Sequence, residues 1–450
     1  MYPVLEEREE FVGQPNIIFI TSHDMGDWLG CYQHPTLNTP HLDAFANDGY
    51  LFSNAYCTSP VCTPSRGAMM TGRYPQSNGL MSLIQEPYSW RLNSGEKHLS
   101  HLLHSHGYRT VLFNHQHEAP PDDNLGFQEQ PLKESGWFHL ITGERIVSAV
   151  ETAEAVTEFL EECKDTDSPF YAQIGMFETH TPFDWSGAEP DDSNGVEIKS
   201  HSAHGTITNK YISGLQGAIS YLDKAVGQIL KKLASTGLDK NTIVVFTSDH
   251  GVELPRCKWQ LYDGGLKTAL LMRWPEGGVS GGTVCNWQTS NIDILPTLLD
   301  LANLPIPENV QGKSFASFFR DEKALPAREI TFGMMHAAQR WTESRSVRSD
   351  KFKLIRNFTP SRMPIAPKEG FKSHIPGTGP LQERPVVEMY DLAADPQELN
   401  NLGIDPCYRA VRENLDDLLL KWLEDVDDPI LRGPVITPYH QMATADLKRQ

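Results

Sequence analysis

The chain has 450 residues, 39% of them hydrophobic and 22% charged, which is ample material for a core, and the length suggests two or three domains. No apolar run reaches the roughly 18 residues that a membrane span needs, and a formal net charge of −19 argues against nucleic acid or an anionic membrane as partner. An anionic substrate would have to be met by a local cluster of Arg, Lys, His or metal, working against the global field.

Residues 1–10 (MYPVLEEREE) are acidic and lack an apolar h-region, so no secretory signal is expected. The chain reads as cytoplasmic, or as a mature secreted or periplasmic form whose leader has been removed. Residues 16–21 (NIIFIT) form a short β-branched run, as expected of a buried parallel strand. Thr39-Pro40 opens a helix that runs to Gly49. Residues 96–106 predict another helix ended by Gly107, and 109–113 the next strand. A helix over 147–163, a strand over 170–177 and a long helix over 210–233 follow, the last stopped by Gly237. Residues 242–247 (TIVVFT) are a second buried strand, 269–274 a further strand and 291–301 a helix. The alternation predicts an α/β fold with a mostly parallel central sheet flanked by helices over residues 1–325. Beyond, segments 330–334, 344–347, 352–356 and 389–392 read as a smaller antiparallel sheet closed by a helix over 408–423. That makes 326–450 a C-terminal α+β subdomain, with a long loop over 359–385. The seven cysteines, odd in number and without CxxC spacing, do not suggest a disulfide framework.

Two strands run into metal-ligand residue types. Residues 16–21 lead to Ser22-His23-Asp24-Met25-Gly26, and 242–247 to Ser248-Asp249-His250-Gly251. Ligands gather at the carboxyl ends of strands in doubly wound sheets, so these groups are candidates to hold one divalent cation. Taken singly, either pattern would equally turn the chain. Between them lies Cys62-Thr63-Pro64-Ser65-Arg66-Gly67. Pro64 suits a first helical turn, which puts Cys62 at a helix N-terminus where amide dipoles favour an anion. Arg66, one turn on, would face the same point. The plainer reading is a buried cysteine ahead of an ordinary helix.

The stretch 56–75 (YCTSPVCTPSRGAMMTGRYP) resembles the signature of the type I, formylglycine-dependent sulfatases of the alkaline phosphatase superfamily. There Cys-x-Pro-x-Arg is read by a formylglycine-generating enzyme, here the implied maturation partner, and the hydrated aldehyde attacks sulfur. The resemblance implies that Cys62 is the nucleophile precursor, with Arg66 beside it, and that Asp24, Asp249 and His250 are metal ligands together with the modified Cys62. His23 stands where the family has a first Asp. Calcium is the usual family ion, although a His-rich set would suit manganese or zinc. In Asn114-His115-Gln116-His117-Glu118, His117 keeps the His of a Lys-x-His pattern, as candidate base, while His115 replaces the Lys that contacts sulfate. His180, in His180-Thr181-Pro182, matches the group that meets the leaving atom, and Lys258 matches the sulfate-neutralising Lys.

Segments 28–32, 258–265 and 345–358 look most like the N-sulfoglucosamine sulfohydrolase branch, and His336, Arg345 and Arg348 are candidates to touch a sugar or uronate. The expected substrate is thus a sulfate ester or sulfamate, an N-sulfated glucosamine or related sulfated sugar. Two alternatives stand: a phosphonate monoester or phosphodiester hydrolase, and a catalytically silent protein that binds a sulfated ligand.

Overall fold

The computed structural model describes residues 14–120, 123–132, 146–198, 207–321, 324–336, 342–364 and 381–448. The acidic N-terminal stretch and most of 359–385 therefore lie outside the described residues. The strands of the large sheet are β1 (Asn16–Ser22), β2 (Tyr50–Tyr56), β3 (Arg109–Asn114), β4 (Glu129–Leu132), β5 (Phe170–Gly175), β6 (Thr242–Ser248), β7 (Leu270–Arg273) and β8 (Thr283–Ser290). Their spatial order is β4-β3-β5-β1-β6-β7-β2-β8. All neighbours are parallel except β7, which runs antiparallel to both β6 and β2.

The central strands are apolar on both faces because both are covered. In β1, Ile18 and Ile20 join one core with Phe246 of β6, whereas Ile17 and Phe19 join another with Val245. The period of two thus feeds two cores from one strand. The first core is closed by helices α1 (Pro40–Asp48), α4 (Ala149–Cys163) and α5 (Asn209–Ser235). The second is closed by α2 (Cys62–Thr71), α3 (Leu99–Ser105) and α6 (Ile294–Leu301). In α5, Ile212, Leu215, Ile219, Leu222, Val226 and Ile229 form one buried stripe, each such side chain contributing about 1.5–3 kcal/mol of transfer free energy.

Local chemistry sets the helix starts. Ser148 and Glu151 form a reciprocal capping box that opens α4. The helix expected from residue 96 begins only at Leu99, because His98 caps it: the ring Nδ1 accepts from the Ser100 amide at 3.2 Å. Glu96 turns away to Arg73, 3.1 Å from its guanidinium.

The smaller sheet is antiparallel, in the order β14-β11-β10-β9: β9 (Thr331–Met335), β10 (Ser344–Arg348), β11 (Phe352–Asn357) and β14 (Val387–Asp391). Helix α7 (Arg409–Asp425) covers it with Leu415, Leu419 and Trp422. The stretch expected to be one long loop instead carries a short hairpin of β12 (Arg362–Pro364) and β13 (Leu381–Glu383) at its edges. No helix among the described residues is long and apolar enough to cross a membrane. All seven cysteines are free thiols.

Candidate active site

Register builds the site. Ser22 at the end of β1 is paired with Ser248 at the end of β6, so His23-Asp24 and Asp249-His250 leave the sheet side by side. On the other flank Thr21 pairs with Gly175 and Gly175 with Asn114, which brings Met176–His180 and His115–His117 to the same edge. Gly175 is required there: a Cβ would lie 1.7 Å from the His115 carbonyl oxygen. Asp24 adopts φ 51°, a left-handed conformation that costs a non-glycine residue about 1 kcal/mol or more and turns its carboxylate into the cluster.

Helix α2 begins at Cys62 directly against these strand ends. Cys62 Sγ is 3.3 Å from His250 Nε2, which is also 3.3 Å from Asp24 Oδ1. His250 Nδ1 donates to the Gly251 carbonyl at 3.0 Å, leaving Nε2 to face the cluster, as a metal-ligating histidine is held by its outer partner. Asp249 Oδ1 accepts from the amides of Asp24 (2.9 Å) and His250 (2.8 Å), and Oδ2 accepts from Arg66 Nε at 2.9 Å. Lys258 Nζ donates to Asp24 Oδ2 at 2.5 Å. The ligand atoms of His23, Asp24, Cys62, Asp249 and His250 all lie within 4.8 Å of one another, and all five residues are buried.

The electrostatics follow from this packing. Burial opposes ionisation of Asp24, but Lys258 and His23 outweigh it and hold the carboxyl well below the usual range. Burial likewise opposes the Cys62 thiolate, yet His23, Lys258 and His250 bring its pKa far down. Burial alone would discharge His23, but Asp249, Cys62 and Asp24 push its imidazole up to about 10. A donor set so anionic that it keeps a proton on a fully buried imidazole is one a divalent cation fits. Two carboxylates, a position-62 group and an imidazole oriented by a carbonyl supply the ligand types.

His23, Cys62 and Lys258 line a cavity of about 230 Å³ together with Leu83, Phe177 and the partly exposed Glu253 and Trp259. His117 Nε2 is 3.1 Å from Gln85 Oε1. His180 Nδ1 donates to the Thr181 carbonyl at 2.6 Å, so Nε2 faces the cavity, 3.9 Å from Asp24 Oδ2. Burial first, then Lys258, lowers the His180 pKa to about 3.

Four expected substrate contacts are corrected. His115 lines the cavity, but burial, Arg66 and His23 drive its pKa well down, so it meets an anion as a neutral imidazole and not as a substitute cation. Arg345 is fully buried in the C-terminal unit, forked onto Asp428 at 2.6 and 2.9 Å, and cannot reach a sugar. His336 is buried there too, edge-on to Trp90 at 5.3 Å and 3.3 Å from Glu343. Arg348 similarly forks onto Asp263, 3.1 Å from each oxygen. Conversely, Gln85, Phe177, Glu253 and Trp259 line the cavity without having been expected there. Gln85 and Phe177 carry no sequence signal. Glu253, three residues after the Asp-His pair on the same loop, could have been found by position.

The family model described as Sulfatase matches residues 15–304, and one described as N-sulphoglucosamine sulphohydrolase, C-terminal, matches 257–363. The chain is 27% identical over 450 residues to an ulvan-active sulfatase of Formosa agariphila, covering 97% of this chain and 86% of that one. It is 26% identical over 469 residues to N-sulphoglucosamine sulphohydrolase of Homo sapiens, covering 93% and 92%. Among solved structures, one similar protein is in complex with its substrate D-glucosamine-2-N,6-O-disulfate (TM-score 0.72, 20% identity, 94% of this chain and 99% of that one). Another is the phosphonate monoester hydrolase of Agrobacterium radiobacter (TM-score 0.69, 21% identity, 92% and 96%). At these identities the structural likeness shows a shared fold.

Proposed function

The chain belongs to the sulfatase family, and from that premise we propose that its cavity hydrolyses a sulfated saccharide, N-sulfated glucosamine among the candidates, with Cys62 converted to formylglycine and one divalent ion beside it. Hydrolysis of sulfate esters or sulfamates is the activity of the family. The finer reading is carried by one observation: Cys62 sits at the first position of α2 with its sulfur inside a buried cluster of two carboxylates and two imidazoles.

Asp24, Asp249 and His250 would hold the ion, with His23 bonded to Asp24 Oδ1 at 2.7 Å beside them. When present, the hydrated aldehyde supplies a hydroxyl nucleophile toward sulfur, and the ion polarises it and the sulfate oxygens. Calcium follows from the family, and the imidazoles also admit manganese or zinc. Arg66 holds Asp249 in place through Nε. Lys258, the buried ammonium on the cavity wall, neutralises charge on the sulfate. His180 presents Nε2 to the leaving atom and passes a proton to it once the bound sulfate anion has drawn a proton onto the ring, while His117, next to Cys62 in the cavity, accepts the proton released at position 62.

The test is intact mass after co-expression with a formylglycine-generating enzyme, then assays on an aryl sulfate, a sulfamate and an aryl phosphonate. A Cys62 peptide lighter by about 18 Da, with sulfate or sulfamate turnover dominant, supports the reading. Dominant phosphonate turnover would transfer the site to phosphoryl chemistry, and an unmodified, inactive protein would leave a ligand-binding role.

A further inference from the structure

The sulfate end of the cavity is defined by Cys62 and Lys258, but its mouth carries a group of the opposite sign. Glu253 lies on the loop after β6, with its side chain 39% exposed, and lines the cavity beside Trp259. It is not a loose surface acid. Thr181 Oγ1 donates to its Oε2 at 2.7 Å, and its backbone carbonyl accepts from the Tyr211 hydroxyl at 2.8 Å. Its Oε2 also stands 3.8 Å from Lys258 Nζ. It also belongs to a cluster with Asp24 and His180 whose ligand atoms fall within 4.8 Å of one another. No described residue donates to the second oxygen, Oε1.

The carboxylate is thus anchored next to His180, at the end where the leaving group departs. A fixed anion there accepts hydrogen bonds and repels a second anion. Among the described residues, the cations that line the cavity are Lys258 and His23, and both are already bonded to Asp24, so neither is free to pair with a further negative group on the substrate.

Building on the sulfatase reading above, we infer that Glu253 selects the leaving group: it accepts a hydrogen bond from a hydroxyl or ammonium adjacent to the scissile position and excludes substrates that carry a second sulfate or a carboxylate there. A monosulfated sugar with a free neighbouring hydroxyl meets both conditions, and the half-buried Trp259 on the cavity wall gives its ring an apolar neighbour.

Three probes differ only at that neighbouring position: phenyl sulfate, 2-hydroxyphenyl sulfate and 1,2-phenylene disulfate. Their binding is measured by calorimetry to full-length Cys62→Ala protein in calcium-containing buffer, so that turnover does not intervene. The hydroxy ester should bind about tenfold tighter than phenyl sulfate and the disulfate about tenfold weaker, as for a hydrogen bond to a charged acceptor at a partly exposed rim. Glu253→Gln added to that protein should bring all three within about threefold. Thr181→Val, which removes the donor that orients the carboxylate but keeps its charge, should narrow the hydroxyl preference and keep the disulfate penalty. Ratios unchanged in Glu253→Gln, or a disulfate that binds best to the parent protein, overturn the assignment of Glu253 alone. If none of the three binds, the sulfate reading of the cavity falls and this inference with it.

Discussion

Cys62 and His180 make different demands on the substrate, and that difference separates their roles. Cys62→Ala removes the nucleophile precursor while leaving a small side chain at a buried helix start, so turnover should vanish with the thermal transition little changed. Full activity in that variant would end the mechanism. General acid catalysis contributes roughly 10²–10⁴-fold and matters most for a basic leaving group. His180→Ala should therefore slow an alkyl sulfate or a sulfamate far more than 4-nitrophenyl sulfate, whereas Lys258→Ala should slow both alike because the sulfate is common to them. Equal losses across leaving groups for His180→Ala would reassign that residue to binding. The metal reading is tested at Asp249: Asp249→Asn should lower bound divalent ion from near one per chain to near none, read by elemental analysis, and retention of the ion would move the site elsewhere. At this scale the residue types were legible and their states were not. His115 reads as a possible cation in sequence, but only its burial, with Arg66 and His23 beside it, shows that it is held neutral. Arg345 lies in a sugar-contact-like motif, yet its partner Asp428 is 83 residues away, a pairing no local pattern reveals.

His98 shows how a single element depends on pH. It caps α3 as an acceptor, is almost fully buried, and burial together with His101 lowers its pKa to about 3 from an ordinary value of 6.5. The unfolded chain therefore binds more protons at this site between those two values. Stability from His98 is fully present above about pH 6.5 and is lost as pH falls towards 3, by an amount on the order of a few kcal/mol. His98→Asn keeps a cap acceptor without the titration, so urea midpoints for variant and parent should converge as pH falls from 7 to 4. Parallel curves would show that His98 does not titrate across unfolding. Elements with long apolar runs, β1 and β6, were readable because burial on both faces leaves no polar residue to interrupt them. Strands β2 and β8 escaped. Tyr50–Tyr56 carries Ser53 and Asn54 mid-strand, where the register with β8 shifts, and Thr283–Ser290 is an edge strand with exposed positions. The antiparallel direction of β7 is likewise a matter of topology, since its short apolar run Leu270-Leu271-Met272 reads the same either way.

Across the whole molecule, the C-terminal sheet is tied to the catalytic part by polar contacts placed behind the cavity. Tyr262 donates to Glu388 at 2.6 Å, Arg348 and Lys353 both hold Asp263, and the Met334 amide donates to the Thr58 carbonyl at 2.8 Å, four residues before Cys62. The general α/β plan was legible from alternating patterns, but these ties join side chains scattered along the chain and are invisible to periodicity. The strongest test lies at Asp428, which accepts both arms of Arg345 and also the Gln76 amide at 2.8 Å, a residue in the segment just after α2. Burial opposes the Asp428 charge, but Arg345 overcomes it and lowers its pKa. Removing one partner leaves the other as an uncompensated buried charge, a loss of about 3–5 kcal/mol, whereas replacing both by apolar groups of similar size is often close to neutral. Arg345→Met should thus lower the urea midpoint markedly, and Arg345→Met/Asp428→Leu should recover much of it. In both variants the KM of the folded fraction should stay near the parent value, because Arg345 does not face the cavity. A raised KM at unchanged stability would return Arg345 to the substrate site.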